Sequence, residues 1–278
     1  MLGKLMKYEW KATKRTFLPL YGALLVLALI NGLFFRIDHV DQNGIANSLK
    51  VIVLITYIAI IIATFVMTAV VMLQRYYKNI LGREGYLMNT LPVKGYELIW
   101  SKGIVSTLWF VGSTFVVMVT IPIIFFITSP EVCTEVISSI FTKEFWTLAI
   151  RGVGRGHVLA WMMELLVMAC ISCFLFCMKA YAAMSLGHLT HKSRMMASVG
   201  FYIAIDFAER AIVMFGAILF GILFKTNIGA WFGNLLQQGT GVMGVHVFFI
   251  GVIVYEVILT VVYFFISKYV LDNKLNLE

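Results

Sequence analysis

Charge is what this chain has least of. Asp, Glu, Lys and Arg make up 13% of its 278 residues, where a soluble domain carries about a quarter. Together with 61% hydrophobic residues and a mean hydropathy of +0.91, that scarcity excludes a soluble globular fold and points to an integral membrane protein. The net charge of +8 is then no sign of nucleic-acid binding, because basic residues also set topology. Cysteine is sparse as well. Cys133 falls in a polar loop, and Cys170, Cys173 and Cys177 share one hydrophobic run. A thiolate is not easily formed there, so the C-x-x-C pair reads as packing residues rather than a redox centre. The five histidines show no metal-ligand spacing. His188 and His191 are three apart, with no third ligand near in sequence. No G-x-x-x-x-G-K-[ST] phosphate loop occurs. Arg151–His157, R-G-V-G-R-G-H, follows no strand and reads as a flexible entry into a span. The chain is therefore not expected to be an enzyme, and any energy must come from another subunit or an ion gradient.

What is present is a set of long apolar runs, each near the roughly 20 residues that cross a bilayer as a helix. Six are read, over 18–35, 51–73, 103–128, 157–178, 198–224 and 246–267, so the fold class is an all-α membrane protein with one transmembrane domain spanning 1–278. The pieces 1–17, 74–102, 179–197 and 268–278 hold fifteen Lys and Arg in 76 positions. The alternate pieces 36–50, 129–156 and 225–245 hold six in 64. That bias places both termini in the cytoplasm of a multi-pass plasma-membrane protein.

The first seventeen residues are too charged for a cleaved signal peptide and lack a small-residue cleavage site. Leu2, Leu5, Met6, Trp10, Thr13 and Phe17 recur near helical spacing, with Lys4, Lys7, Lys11 and Lys14 between them. This suits a helix lying in the inner interface against membrane lipids; a solvated basic tail is the plainer alternative. Pro19 fits the first turn of the span that follows.

The stretch Arg75–Lys102 carries five basic and two acidic residues between two uncharged spans. A helix from Ile80 would set Ile80, Glu84, Leu87 and Leu91 on one face, flanked by Tyr86 and Met88. Gly82 and Gly85 allow close approach of another backbone, and Pro92 ends the helix. Such an apolar helix rimmed with charge can enter a groove on a cytoplasmic partner or rest on lipid. The residues alone leave both open.

The same stretch resembles the coupling loop of bacterial ABC-2-type transporter permeases, in particular Gram-positive ones. It has Glu84-Gly85-Tyr86-Leu87, then Thr90-Leu91-Pro92-Val93, then Ser101-Lys102. The opening Lys7-Tyr8-Glu9-Trp10-Lys11 and the inner stretch Tyr181–Gly187, Y-A-A-M-S-L-G, are similar to further family patterns. The resemblance implies a half-transporter of six spans that pairs with a second permease chain, identical or homologous. Glu84, Gly85, Tyr86, Leu87, Met88, Leu91 and Pro92 would form a coupling helix that docks a separate ABC ATPase, and that partner would bind ATP and Mg. Most such relatives export drugs, antimicrobial peptides or lipid-like substrates. In them the segment between spans five and six often folds back into the membrane, which Ile228–Val245 would suit. Three other readings compete. An importer permease would need an E-A-A pattern that is missing. An intramembrane protease would need histidines within spans. A non-transporting scaffold or sensor could use the same loop to hold a partner.

Five intramembrane polar residues remain: Glu164, Asp206, Glu209, Arg210 and Glu256. Charges at that depth cost about 2.5–3.5 kcal/mol each on insertion scales, so they are expected to face protein. Asp206 and Arg210 are i and i+4 and can pair, with Glu209 on the same stripe. The stripe is either a structural ion-pair cluster or a lining that meets a polar or cationic part of a substrate.

Overall fold

Long apolar runs satisfy their backbone groups within the membrane only by coiling into helices, and this chain does so throughout its described length. The computed structural model describes residues 2–37, 44–82, 95–142, 147, 155–190, 193–223 and 242–273. Among them lie seven α-helices and no strand. They are α1 (Leu2–Ile37), α2 (Gly44–Tyr76), α3 (Gly95–Thr128), α4 (Pro130–Phe141), α5 (Arg155–His188), α6 (Arg194–Leu223) and α7 (Val242–Asn273). A π-helical turn, Tyr77–Leu81, extends α2.

Five of the seven are long and apolar enough to cross a membrane: Leu2–Arg36, Ser48–Leu81, Gly95–Thr128, Gly156–His188 and Val242–Asn273. This is the make-up of a multi-pass membrane protein. Helix α6 has 30 residues, yet every 18-residue stretch of it contains Asp206, Glu209 and Arg210. It is long enough to span, but no 18-residue stretch of it is free of these three charges.

The N-terminal segment departs from expectation. It is not a separate interfacial helix, because α1 runs unbroken through Pro19. The reason is packing. The face expected to meet lipid instead meets α3: Trp109 is sandwiched between Trp10 and Phe17, with centroids 4.3 and 4.4 Å away. Its indole N–H donates to Thr13 Oγ1 at 2.8 Å.

The chain divides into two compact units, Met1–Gln74 with Ile104–Gly152, and Arg75–Gly103 with Val153–Glu278. The first is knit by apolar clusters around Phe17, Met72, Val105 and Trp109, and around Leu24, Ala28 and Tyr57. Hydroxyl bonds tie its helices across these clusters. Tyr57 pairs with Thr120 at 2.6 Å, and Ser113 joins Tyr21 at 2.8 Å to Thr68 at 3.0 Å. Such bonds serve as glue where lipid tails remove the hydrophobic drive between helices. In the second unit α5 is central, with α6 and α7 packed against it. Gly187 permits the α5–α6 approach, since a Cβ there would stand 2.5 Å from the Ser198 backbone nitrogen.

Candidate functional site

On α5 the residues His157, Trp161, Glu164, Ser172 and Lys179 are spaced i, i+4, i+7, i+15 and i+22. At 100° per residue they stay within one stripe. Helices α6 and α7 supply partners along it, which gives three polar nodes in the second unit. In the first, His157 Nδ1 lies 3.0 Å from His246 Nε2, and His246 Nδ1 lies 2.7 Å from Glu164 Oε1. In the second, Ser172 donates to Glu256 Oε1 at 2.6 Å.

The third node is the densest. Lys179 reaches Asp206 at 2.7 Å and Glu209 at 2.5 Å, and its side chain is 8% exposed. Arg210 Nε donates to the other oxygen of Asp206 at 2.7 Å. Tyr263 of α7 donates to Glu209, and the Lys179 ammonium stands 5.1 Å from the Tyr202 ring centre. Two cations face two carboxylates, so the node is neutral. For Lys179 and Glu209 this satisfies the usual condition on buried charge, which must be paired and hydrogen-bonded, whereas the Arg210 side chain, expected to face protein, is 77% exposed.

The sequence-derived residues therefore fall into three groups rather than one. Asp206, Glu209 and Arg210 come together, and the i,i+4 pair forms. Glu164 on α5 and Glu256 on α7 belong to the other two nodes, whose α5 members are about 12 Å (Glu164 to Ser172) and about 10 Å (Ser172 to Lys179) apart in axial rise. Sequence reasoning missed Lys179, which it assigned to a cytoplasmic piece as a topology-setting cation. Its position seven residues after Ser172, on the same α5 face, was the available signal. It also missed His246, Ser172 and Tyr263, whose roles depend on inter-helix pairing.

The residues expected to couple an ATPase, Glu84, Gly85, Tyr86, Leu87, Met88, Leu91 and Pro92, lie outside the described residues, as do 224–241. The junctions on either side of 83–94 are described, and both rest on α5. Before the segment, Tyr76 is fully buried. It stacks on Tyr181 at 3.9 Å and 6°, and its hydroxyl pairs with Ser185 at 2.9 Å. After the segment, Leu98 and Ile99 are buried. Trp100 stacks on Phe174 of α5 at 5.3 Å and leans on Phe264 of α7 at 5.6 Å. A Cβ at Gly103 would collide with Met178 and Phe174, so α3 approaches α5 closely. The stretch Tyr181–Gly187 thus holds three contact residues: Tyr181 and Ser185 on Tyr76, and Gly187 beneath α6.

No family model, no curated protein and no solved structure matches the chain.

Proposed function

We propose that this chain is the transmembrane subunit of an ATP-driven transporter of the ABC-2 type. It would export a drug, an antimicrobial peptide or a lipid-like substrate, paired with a second permease chain and driven by a separate ATPase that binds ATP and Mg. In this reading α6 is a sixth span, both termini are cytoplasmic, and Glu84, Gly85, Tyr86, Leu87, Met88, Leu91 and Pro92 belong to the coupling helix. One observation carries it: both ends of the presumed docking segment are anchored to α5. Tyr76 fixes one end on Tyr181 and Ser185, and Trp100 fixes the other on Phe174. A push on the segment would therefore move α5, the helix that carries all three polar nodes. The two stretches that resemble permease motifs, around Tyr76 and at Tyr181–Gly187, touch each other here.

Affinity purification from native membranes tests the reading. A co-purifying ATPase with a phosphate loop is expected, and the chain alone should hydrolyse no ATP. Leu87→Asp or Leu91→Asp should release that ATPase while the helical content stays unchanged. A buried leucine contributes roughly 1.5–3 kcal/mol, and a charge placed in an apolar groove adds to the loss. Retention of the ATPase by both variants, with substrate-stimulated turnover intact, refutes the docking role.

A further inference from the structure

The α5–α7 seam has more polar atoms than it has partners for. Among the described residues, four buried side-chain N or O atoms on these two helices have no hydrogen-bond partner: Trp161 Nε1, Glu164 Oε2, Tyr255 OH and Glu256 Oε2. Each alternates with a group that is bonded. Glu164 and Glu256 each hold one oxygen on a partner, His246 or Ser172, and leave the other without one. A buried polar atom without a partner calls for an explanation such as water or an ion. The seam is also long. From His157 to Lys179 is 22 residues, about 33 Å of helix, close to the thickness of a bilayer's hydrocarbon core.

We propose that this seam is a proton path. Its groups are those that take up and release protons: the His157–His246 pair and Glu164 at one end, Glu256 with Ser172 at mid-length, and Glu209, Tyr263, Lys179 and Asp206 at the other. Cys173 flanks the middle node beside Glu256, Tyr255 stands near Glu209 and Lys179 of the third, and Arg210 closes the far end by holding Asp206. Chains of His, Glu and Asp within spans are the usual carriers of protons through pumps and transporters. The two imidazoles stand within hydrogen-bond distance, 3.0 Å apart. The gaps of about 10–12 Å between nodes are bridged by water, for which the four unpartnered atoms supply donors and acceptors. No electron moves. Each node accepts a proton from one side and yields one to the other, so its charge is restored after every passage.

The test uses the full purified chain in lipid vesicles holding a pH-sensitive dye, with a potassium diffusion potential imposed by valinomycin. Proton entry is expected to exceed that of empty vesicles. Glu256→Gln, which keeps the bond to Ser172 but cannot carry the proton, should return it to the empty-vesicle level. Glu256→Asp should retain part of it. Wild-type flux equal to that of empty vesicles overturns the proposal, and so does an unchanged flux in Glu256→Gln. If that variant fails to fold, Glu164→Gln is read by the same criterion. Neither ATP nor an ATPase is present, so the outcome is independent of whether an ATPase partner is found.

Discussion

Lys179→Met is the sharpest probe of the third node. The substitution keeps the length and apolar stem of the side chain and removes only the ammonium. Two carboxylates then lose a partner, unequally. Asp206 has a side chain 33% exposed and retains Arg210, so its loss resembles that of a surface pair and is small. Glu209 is 17% exposed and retains only the Tyr263 hydroxyl. Breaking a buried pair from one side costs about 3–5 kcal/mol, because the remaining charge is stranded; the Tyr263 bond puts this case near 3. Adding Glu209→Gln removes the stranded charge and should recover about 2 kcal/mol of that. The assay is unfolding of the purified chain in mixed micelles by increasing SDS, followed by circular dichroism. A loss below about 1 kcal/mol in Lys179→Met would show that the ammonium is not held as described. A double variant less stable than the single would refute the stranded-charge argument.

Two further outcomes follow from the same geometry. Exchanging Asp206 and Arg210 should not restore stability, because position 206 lies 2.7 Å from Lys179 and an arginine there meets a like charge; a swapped variant as stable as the wild type by the same SDS titration removes Lys179 from the node. Gly187→Ala should cost about 1–3 kcal/mol by overpacking, since a Cβ there meets the Ser198 backbone rather than a movable side chain, and a thermal midpoint equal to the wild type's would show that α6 has room to shift.

Much of the fold was legible because helix periodicity and run length act locally. The five apolar spans follow from composition, and the Asp206–Arg210 bond follows from their spacing on one helix. What sequence could not show depends on which helix lies beside which. Lys179 follows the last residue of its expected span by one position, and only the packing of α6 on α5 turns it from a topology signal into the centre of an ion cluster. The same holds for α1. Its amphipathic first turns suit lipid and protein equally well, and the choice was made by Trp109, nearly a hundred residues later. Glu164 and Glu256 were singled out as costly, but their separate partners, His246 and Ser172, carry no sequence signal of pairing.

The charges on α6 also bear on how the chain is made. Asp206 and Arg210 alone add about 5–7 kcal/mol to the cost of placing that helix in lipid. Lys179, which offsets part of that cost, lies on α5 and is synthesised first. Only residues 189–193 separate the two helices, so the counter-charge is already at hand when α6 leaves the ribosome. In the six-span reading proposed above, α6 enters the bilayer as the second arm of a hairpin, its ion pairs closing during insertion. A ribosome product that ends before α6 would leave Lys179 without Asp206 and Glu209, a feature by which membrane quality control could recognise an unfinished chain.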